Sequence, residues 1–549
     1  MTHRIGYGTW TSPLTPADLA AGIVLDEVQV DGDDTYWVEC RPEQGGRCTL
    51  VRHHARSGQT TDVTPPTLNI RSRAHGSGGG AYAVADGQVL VTDFADGRLY
   101  LIDGGEPCPL TAGGPLRHGG LVAAAGFGYA VQEDASGLGE PVDRLIRIPL
   151  GPGPAGTQPW TELFSGSDFV SRPAVSPDGT QIAFVTWEHP NMPWDASTLH
   201  RAELTDQGLA GRRVVAGGEG VSVCQPTWTP TGQLLYVSDA TGWANLYRDD
   251  GDHQVPLRPM PADCAAAQWT LGMSDLATLS DGRVLMHHWH DGVEQLDLFD
   301  PQTGQASTVS ESIATARSLQ AAGTDVVLRA GYLGGPADIV HGSTARGLRR
   351  LQTSDSQCLD PQYVSHPQPW SWQNSYGMPV HGMLYSPAHP DHPGHRSGPG
   401  VAAERPPLIV MAHGGPTGVH DADYSAEIQF WTTRGFALLH VNYSGSCCFG
   451  RQYRERLLGR WGELDIDDCV TGATSLADAG QVDGDRMAIR GGSAGGYVVM
   501  RAMTTTTVFA AGTSYFGVTD LKLLAAETHR FESRYLDSLV GPLPEYEAR

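Results

Sequence analysis

The sequence predicts two folds in series. A seven-bladed β-propeller spans residues 25–358 and a parallel-sheet α/β domain spans 359–549, with a short N-terminal segment, 1–24, ahead of both. Three observations predict this. A turn followed by a short strand recurs seven times in the first two-thirds of the chain, at a mean step of about 48 residues. Near residue 360 that texture gives way to alternating strands and helices. The length, 549 residues, also exceeds the ~250–300 at which a single core stops growing.

The propeller units begin at Asp31-Gly32, Asp86-Gly87, Gly126-Phe127-Gly128, Ser176-Pro177-Asp178-Gly179, Thr229-Pro230-Thr231-Gly232, Ser280-Asp281-Gly282 and Gly323-Thr324-Asp325. Each precedes a strand-forming run such as Ile182-Ala183-Phe184-Val185 or Val284-Leu285-Met286. Asp-Gly between such runs signals a hairpin, because glycine accepts positive φ without steric cost. Later strands, such as Leu99-Tyr100-Leu101 and Asn245-Leu246-Tyr247, complete a unit of about four strands, the content of one blade. A pair of β-sandwiches is the competing architecture.

In the second region Leu408-Ile409-Val410-Met411 and Phe436-Ala437-Leu438-Leu439-His440-Val441 read as buried strands, and residues 467–479 as a helix. Arg486-Met487-Ala488-Ile489-Arg490 is a third strand, followed by a helix over 494–503 and a strand over 511–516. The Pro-, Gly- and His-rich stretch 387–407 reads as a surface loop.

Two loops carry chemistry. Gly491-Gly492-Ser493-Ala494-Gly495-Gly496 joins a strand to a helix and contains Gly-x-Ser-x-Gly, the nucleophile elbow of an α/β-hydrolase. Small neighbours are needed because the turn is sharp and the serine backbone strained. The hydroxyl then projects above the sheet, beside a helix N-terminus that favours negative charge. A Walker loop is excluded, since no Gly-Lys-Ser/Thr follows. His413-Gly414-Gly415-Pro416 directly follows another strand. The N–H groups of Gly415 and Ala494 are the expected oxyanion hole for an acyl-enzyme formed at Ser493.

A propeller followed by these two loops resembles the prolyl oligopeptidase family of serine peptidases, and is most similar to its bacterial acylaminoacyl-peptidase/dipeptidyl-aminopeptidase-like branch. Asn442-Tyr443-Ser444-Gly445-Ser446, Trp461-Gly462-Glu463-Leu464-Asp465-Ile466-Asp467-Asp468 and Thr528-His529-Arg530-Phe531-Glu532-Ser533-Arg534-Tyr535 carry the resemblance further. It runs from about residue 369 to the end and is only architectural over the propeller. It implies a Ser-Asp-His triad, a propeller that limits access to short peptides, and frequent homo-oligomers.

The chain departs from that pattern at its end. In an α/β-hydrolase the acid and histidine follow the serine on later strands, yet only 56 residues follow Ser493. The α/β-hydrolase domain is therefore expected to be incomplete at its C-terminus, with the triad Asp and His not in this chain. Asp520 comes too early to be the acid, and His529 and Asp537 look helical, so none is taken as a substitute.

Charge and composition bound the partners. With 37 basic and 61 acidic residues the net charge is −24, which disfavours nucleic acid and anionic membranes. No apolar run reaches the ~20 residues of a membrane span, and no signal peptide is visible, so a cytoplasmic location is expected. Nine scattered cysteines without a Cys-x-x-Cys pair predict reduced thiols. No metal or other cofactor is expected: His287-His288-Trp289-His290 reads as packed or surface histidine, His389, His392 and His395 as a solvated loop cluster, and His440 as a hydrogen-bonded core residue. Cys447-Cys448 lacks a defined base and reads as structural.

Substrate choice is less legible. The chain has no adjacent Glu-Glu pair of the kind that holds a free amino terminus in dipeptidyl peptidases, which leaves acylated amino termini or a peptide C-terminal carboxylate, and a propeller arginine such as Arg172, Arg201 or Arg283 would suit the latter. A serine peptidase of short peptides is expected. A carboxylesterase on the same fold, and an inactive propeller interaction protein, are the alternatives.

Overall fold

The computed structural model describes residues 6–151, 158–290, 292–355, 358–392, 404–542 and 544. His395 and the chain end, 545–549, lie outside the described residues. Seven antiparallel sheets follow one another along the chain, over 24–62, 82–109, 116–165, 169–217, 223–256, 276–308 and 313–353. They are the seven blades. Each of the seven turns read from the sequence is the hairpin between the first and second strands of its blade, and Gly32, Gly87, Gly126, Gly179, Gly232, Gly282 and Gly323 all take positive φ there.

The innermost strands of blades one, three, five and seven each carry a bulge against the second strand. At the bulges Glu27, Gln225 and Ser318 adopt left-handed φ of 49°, 56° and 54° and line the central cavities of the ring. In blade four the inner strand breaks into Phe169–Val170 and Ala174–Val175 around Pro173, which has no N–H to give a ladder. The ring closes by packing rather than strand exchange. Leu25, Val28, Trp37 and Val51 of blade one share a core with Val327 and Ile339 of blade seven, and Gln352 Nε2 donates to Glu39 Oε1 at 2.7 Å.

The remaining sheet has six strands in the order Pro367–Gln373, Pro379–Tyr385, Ala437–Asn442, Leu408–Ala412, Met487–Gly492 and Ala511–Tyr515. Its last four strands are parallel, and helices Leu464–Asp478 and Ala494–Thr505 pack on it. Segment 6–14 docks on this domain: Trp10 is buried against Gly435, and Ser12 Oγ lies 2.7 Å from Thr433 Oγ1.

Three sequence expectations are corrected. Cys40 and Cys48 form a disulfide. The turn Pro42–Gln44 sets them directly opposite each other on neighbouring strands of blade one, where side chains come within reach. The loop histidines are not solvated: His389 Nε2 lies 2.9 Å from Thr11 O, and His392 stacks on Trp10. His440 is buried, and among the described residues neither ring nitrogen is hydrogen-bonded, because the rings of Tyr385 on the next strand and His420 on a loop pack against it.

Candidate active site

Ser493 caps the helix Ala494–Thr505 with φ 52° and ψ −121°, a conformation that costs a non-glycine residue roughly 1–3 kcal/mol. Two glycines make that turn possible. A Cβ on Gly491 would strike the Gly495 carbonyl, and one on Gly495 would strike the carbonyls of Ala412 and His413. The serine side chain is exposed, and among the described residues its hydroxyl has no hydrogen-bond partner.

The His413–Pro416 loop lies against the elbow, where a Cβ on Gly414 would stand 3.6 Å from Ser493 Cβ. Gly415 has φ 61°, and neither its N–H nor that of Ala494 meets an acceptor among the described residues. Ala494 directly follows the serine, and Gly415 directly follows the glycine that lies against it. His413 supports the loop and is no base. Burial lowers its pKa to about 4, Nε2 lies 2.8 Å from Ser446 Oγ, and the ring stacks on Tyr443 with centroids 4.1 Å apart. Tyr443 Oη in turn donates to His413 O at 3.0 Å.

The other motif residues act as braces. Asp468 accepts from Ser444 N at 2.6 Å and from Asn374 Nδ2 at 2.8 Å, tying the 443–446 loop to the long helix. Asp465 accepts the Gly462 N–H at 2.8 Å, and burial lifts its pKa to about 7. None of the three residues set aside at the chain end bonds to Ser493. Asp520 caps Leu521–Glu527, His529 pairs with Glu532 at 3.4 Å, and Asp537 pairs with Arg534 at 2.6 Å.

The propeller contributes what the sequence reading missed. Trp194 and Trp269, with ring centroids 4.5 Å apart, join Phe531 and Tyr535 in an aromatic cluster. Trp269 stands 3.1 Å from where a Gly415 Cβ would be, and its Nε1 donates to Thr417 O at 2.6 Å. Phe531 and Tyr535 belong to a stretch quoted above, but Trp269 sits in an irregular loop where no periodicity marks it. Beside this layer is a cavity of about 430 Å³ whose lining includes Trp187, Trp269, Phe531, Arg172, Gln225 and Trp228. Of the three arginines singled out, only Arg172 lines it; Glu27 is the carboxylate that acts on its charge, without an ion pair within 4 Å among the described residues. Arg172 Nε donates to Leu121 O at 3.2 Å, and burial lowers its pKa. Arg201 is spent on Asp249 and Arg283 on Asp281.

Two buried ionic clusters join the domains. Arg530 lies over the Phe169 ring and donates to Asp143 Oδ1 at 3.0 Å, while Asp143 Oδ2 sits 2.5 Å from His75 Nε2. In the other cluster, His287 lies between Asp275 (3.2 Å) and Glu294 (2.9 Å), and Arg317 bridges Glu294 to Asp421, which follows the His413–Pro416 loop. Burial alone would lower the His287 pKa, but Glu294 and Asp275 raise it to about 9. The stretch His287-His288-Trp289-His290 thus holds a buried ion-pair centre at His287.

A propeller set over an open parallel sheet, with a strained serine elbow facing the ring, defines a class of two-domain serine hydrolases. The comparisons narrow it. The prolyl oligopeptidase family model matches residues 422–548. A crystal structure of puromycin hydrolase superposes with a TM-score of 0.91 at 34% identity, covering 99% of this chain and 85% of that one. A Mycobacterium tuberculosis puromycin-hydrolyzing peptidase gives 0.92 at 35%, covering 99% and 86%. The chain belongs to the prolyl oligopeptidase family. Among curated sequences, dipeptidyl aminopeptidase BIII of Pseudoxanthomonas mexicana is 31% identical over 134 residues, which are 24% of this chain and 19% of that protein. Matches of this kind span about a fifth of the curated relatives' length.

Proposed function

We propose that the chain acts as a serine peptidase on short peptides or aminoacyl amides, with Ser493 as nucleophile. The observation that carries the reading is the elbow itself: an exposed serine at φ 52°, set against Gly414, with the N–H groups of the adjoining Gly415 and Ala494 meeting no acceptor among the described residues. Attack by Ser493 Oγ on a carbonyl carbon would place the developing oxyanion between those donors. Removing one such donor from a related site costs roughly 3–4 kcal/mol of barrier. The helix N-terminus behind Ala494 adds favourable potential. The hydroxyl also needs a general base, and the triad Asp and His are not among the described residues bonded to Ser493; a histidine on polypeptide beyond them would complete the site.

The aromatic cluster against Gly415 suits a large apolar or aromatic side chain on the acyl part, and two structural neighbours are named for puromycin, an amide of an aromatic amino acid. The cavity at Arg172 would receive a chain end of limited size, consistent with the ring as a filter. Cytoplasmic location and self-association belong to the same proposal; no helix of the described residues is long and apolar enough to cross a membrane. Fluorophosphonate labelling beside Ser493→Ala tests the nucleophile, and label retained in the variant would sink it. Comparing p-nitrophenyl ester with aromatic aminoacyl-amide turnover then separates peptidase from carboxylesterase: rapid ester cleavage with no amide cleavage would overturn the peptidase reading.

A further inference from the structure

The loop that follows the strand Ala437–Asn442 carries adjacent cysteines, Cys447 and Cys448, buried at 6% and 2% exposure with sulfurs 3.6 Å apart. Cys448 has φ 70°, a left-handed conformation unusual for a side-chain-bearing residue, and it turns the two sulfurs toward one another. Both thiols line a cavity of about 30 Å³, close to the ~30 Å³ that one water occupies in the liquid. Cys224, Asp263, Gln268 and Arg454 share its wall. A molecule the size of hydrogen peroxide fits; a bulky thiol reagent does not.

The pair sits at the seam of the two domains. Cys447 N donates to Gly418 O at 2.9 Å, and a Cβ on Gly418 would press on the Gly414 carbonyl in the oxyanion loop. On the other side Gly450 N donates to Asp263 Oδ2 at 2.7 Å in the propeller. We propose that Cys447 and Cys448 form a vicinal dithiol that peroxide closes to a disulfide, and that closure shifts the oxyanion loop through Gly418.

The chemistry balances with peroxide as the oxidant. The Cys447 thiolate attacks one peroxide oxygen, the O–O bond breaks, and the departing hydroxide takes up a proton to leave as water. The Cys448 sulfur then attacks the Cys447 sulfenic acid, the S–O bond breaks, and hydroxide leaves with the Cys448 proton as a second water. Two thiols are oxidised by two electrons and one peroxide is reduced. The Cys448 thiol donates toward Cys447 and so holds the Cys447 pKa below the ordinary thiol value, which favours Cys447 as the attacking sulfur. Adjacent Cα atoms stand about 3.8 Å apart, short of the usual ~4.4–6.8 Å for a disulfide, so the bond closes under strain and reduces readily.

The test uses the chain as it stands. After mild peroxide, denaturation in N-ethylmaleimide and proteolysis without reductant, the peptide holding Cys447 and Cys448 is expected unalkylated and about 2 Da lighter than the dithiol, whereas the untreated chain gives two alkylated thiols and dithiothreitol restores them. Ser493 labelling by fluorophosphonate is expected to slow several-fold in the oxidised protein and to recover on reduction. Two alkylated thiols after peroxide, sulfinic acid at Cys447, or a cross-link to Cys224 would each overturn the disulfide. A closed disulfide with unchanged labelling would overturn the coupling through Gly418. Cys448→Ser, whose thermal transition first verifies folding, is expected to remove the mass change and the labelling response together.

Discussion

The propeller and the catalytic-side sheet finish in opposite ways. Blade one meets blade seven through a shared core in which Trp37 has no exposed surface, so the ring has no open end. The six-stranded sheet does. One face of its first edge strand, Pro367–Gln373, packs against the long helix, with Trp370 Nε1 donating to Ser475 Oγ at 2.9 Å and Trp372 Nε1 to Thr471 Oγ1 at 3.1 Å. At the other edge Ala511, Gly512 and Thr513 are exposed, and no strand pairs beyond them among the described residues. The serine elbow lies one strand in from that bare edge. Rigidity of the ring is therefore lent to the site across the seam, through Trp269 and Arg530, rather than by the sheet's outer neighbours.

The largest expected effects come from breaking what is closed. Trp37→Ala removes a fully buried ring from the blade one–blade seven core and is expected to cost roughly 3–5 kcal/mol, read as a lower midpoint in denaturant. Arg530→Ala leaves Asp143, which has no exposed surface, short of its cationic partner; breaking a buried pair in this way costs about 3–5 kcal/mol. Calorimetry distinguishes the two. The first should lower the propeller transition, and the second should separate the two domains' transitions. A single unshifted transition for Arg530→Ala would show that the seam does not depend on this pair.

The His287 cluster makes the seam pH-sensitive, with a smaller effect. A folded pKa of about 9 against about 6.5 for free histidine means the protonated form is favoured in the folded state. Its contribution, at most about 3 kcal/mol, is fully present below pH 6.5 and is lost as pH rises through about 9. The melting temperature should fall over that window in the native chain, and His287→Gln should flatten the fall. An equal slope in the variant would place the pH sensitivity elsewhere.

These contrasts also explain what could be read from the sequence. Asp86-Gly87 and Ser280-Asp281-Gly282 announce hairpins because a positive φ is a local requirement that glycine meets by itself, and all seven blades follow from such turns. Ser493 and Gly415 were visible for the same reason: a sharp turn restricts its own neighbours. Trp269 carries no such mark, and the pairings of Arg530 and His287, which lie in stretches quoted from the sequence, are not legible there, since the partners Thr417, Asp143 and Asp275 belong to other elements or lie across the seam. The Cys40–Cys48 bond depends on strand register, which cysteine spacing alone does not reveal. His440 was misread because a buried polar residue is normally hydrogen-bonded, and here both ring nitrogens lack partners.

The smallest effect on stability falls at the bare edge. Phe516 follows the last strand at 83% exposure and with φ 41°, so it combines exposed apolar surface with a conformation that a large side chain tolerates poorly. Phe516→Asn replaces that surface with a residue that accepts left-handed φ. The ring rests on Gly492 and Tyr515, and losing those contacts offsets the relief at the backbone, so stability is expected to change by less than about 1 kcal/mol. Association should respond instead. An exposed strand edge flanked by apolar residues is a template for pairing with another chain, so the native chain should show concentration-dependent sedimentation that the variant reduces. A destabilisation of several kcal/mol would mean that Phe516 packs against something in solution, and the contrast between a closed ring and an open sheet would fail at the residue where it is sharpest.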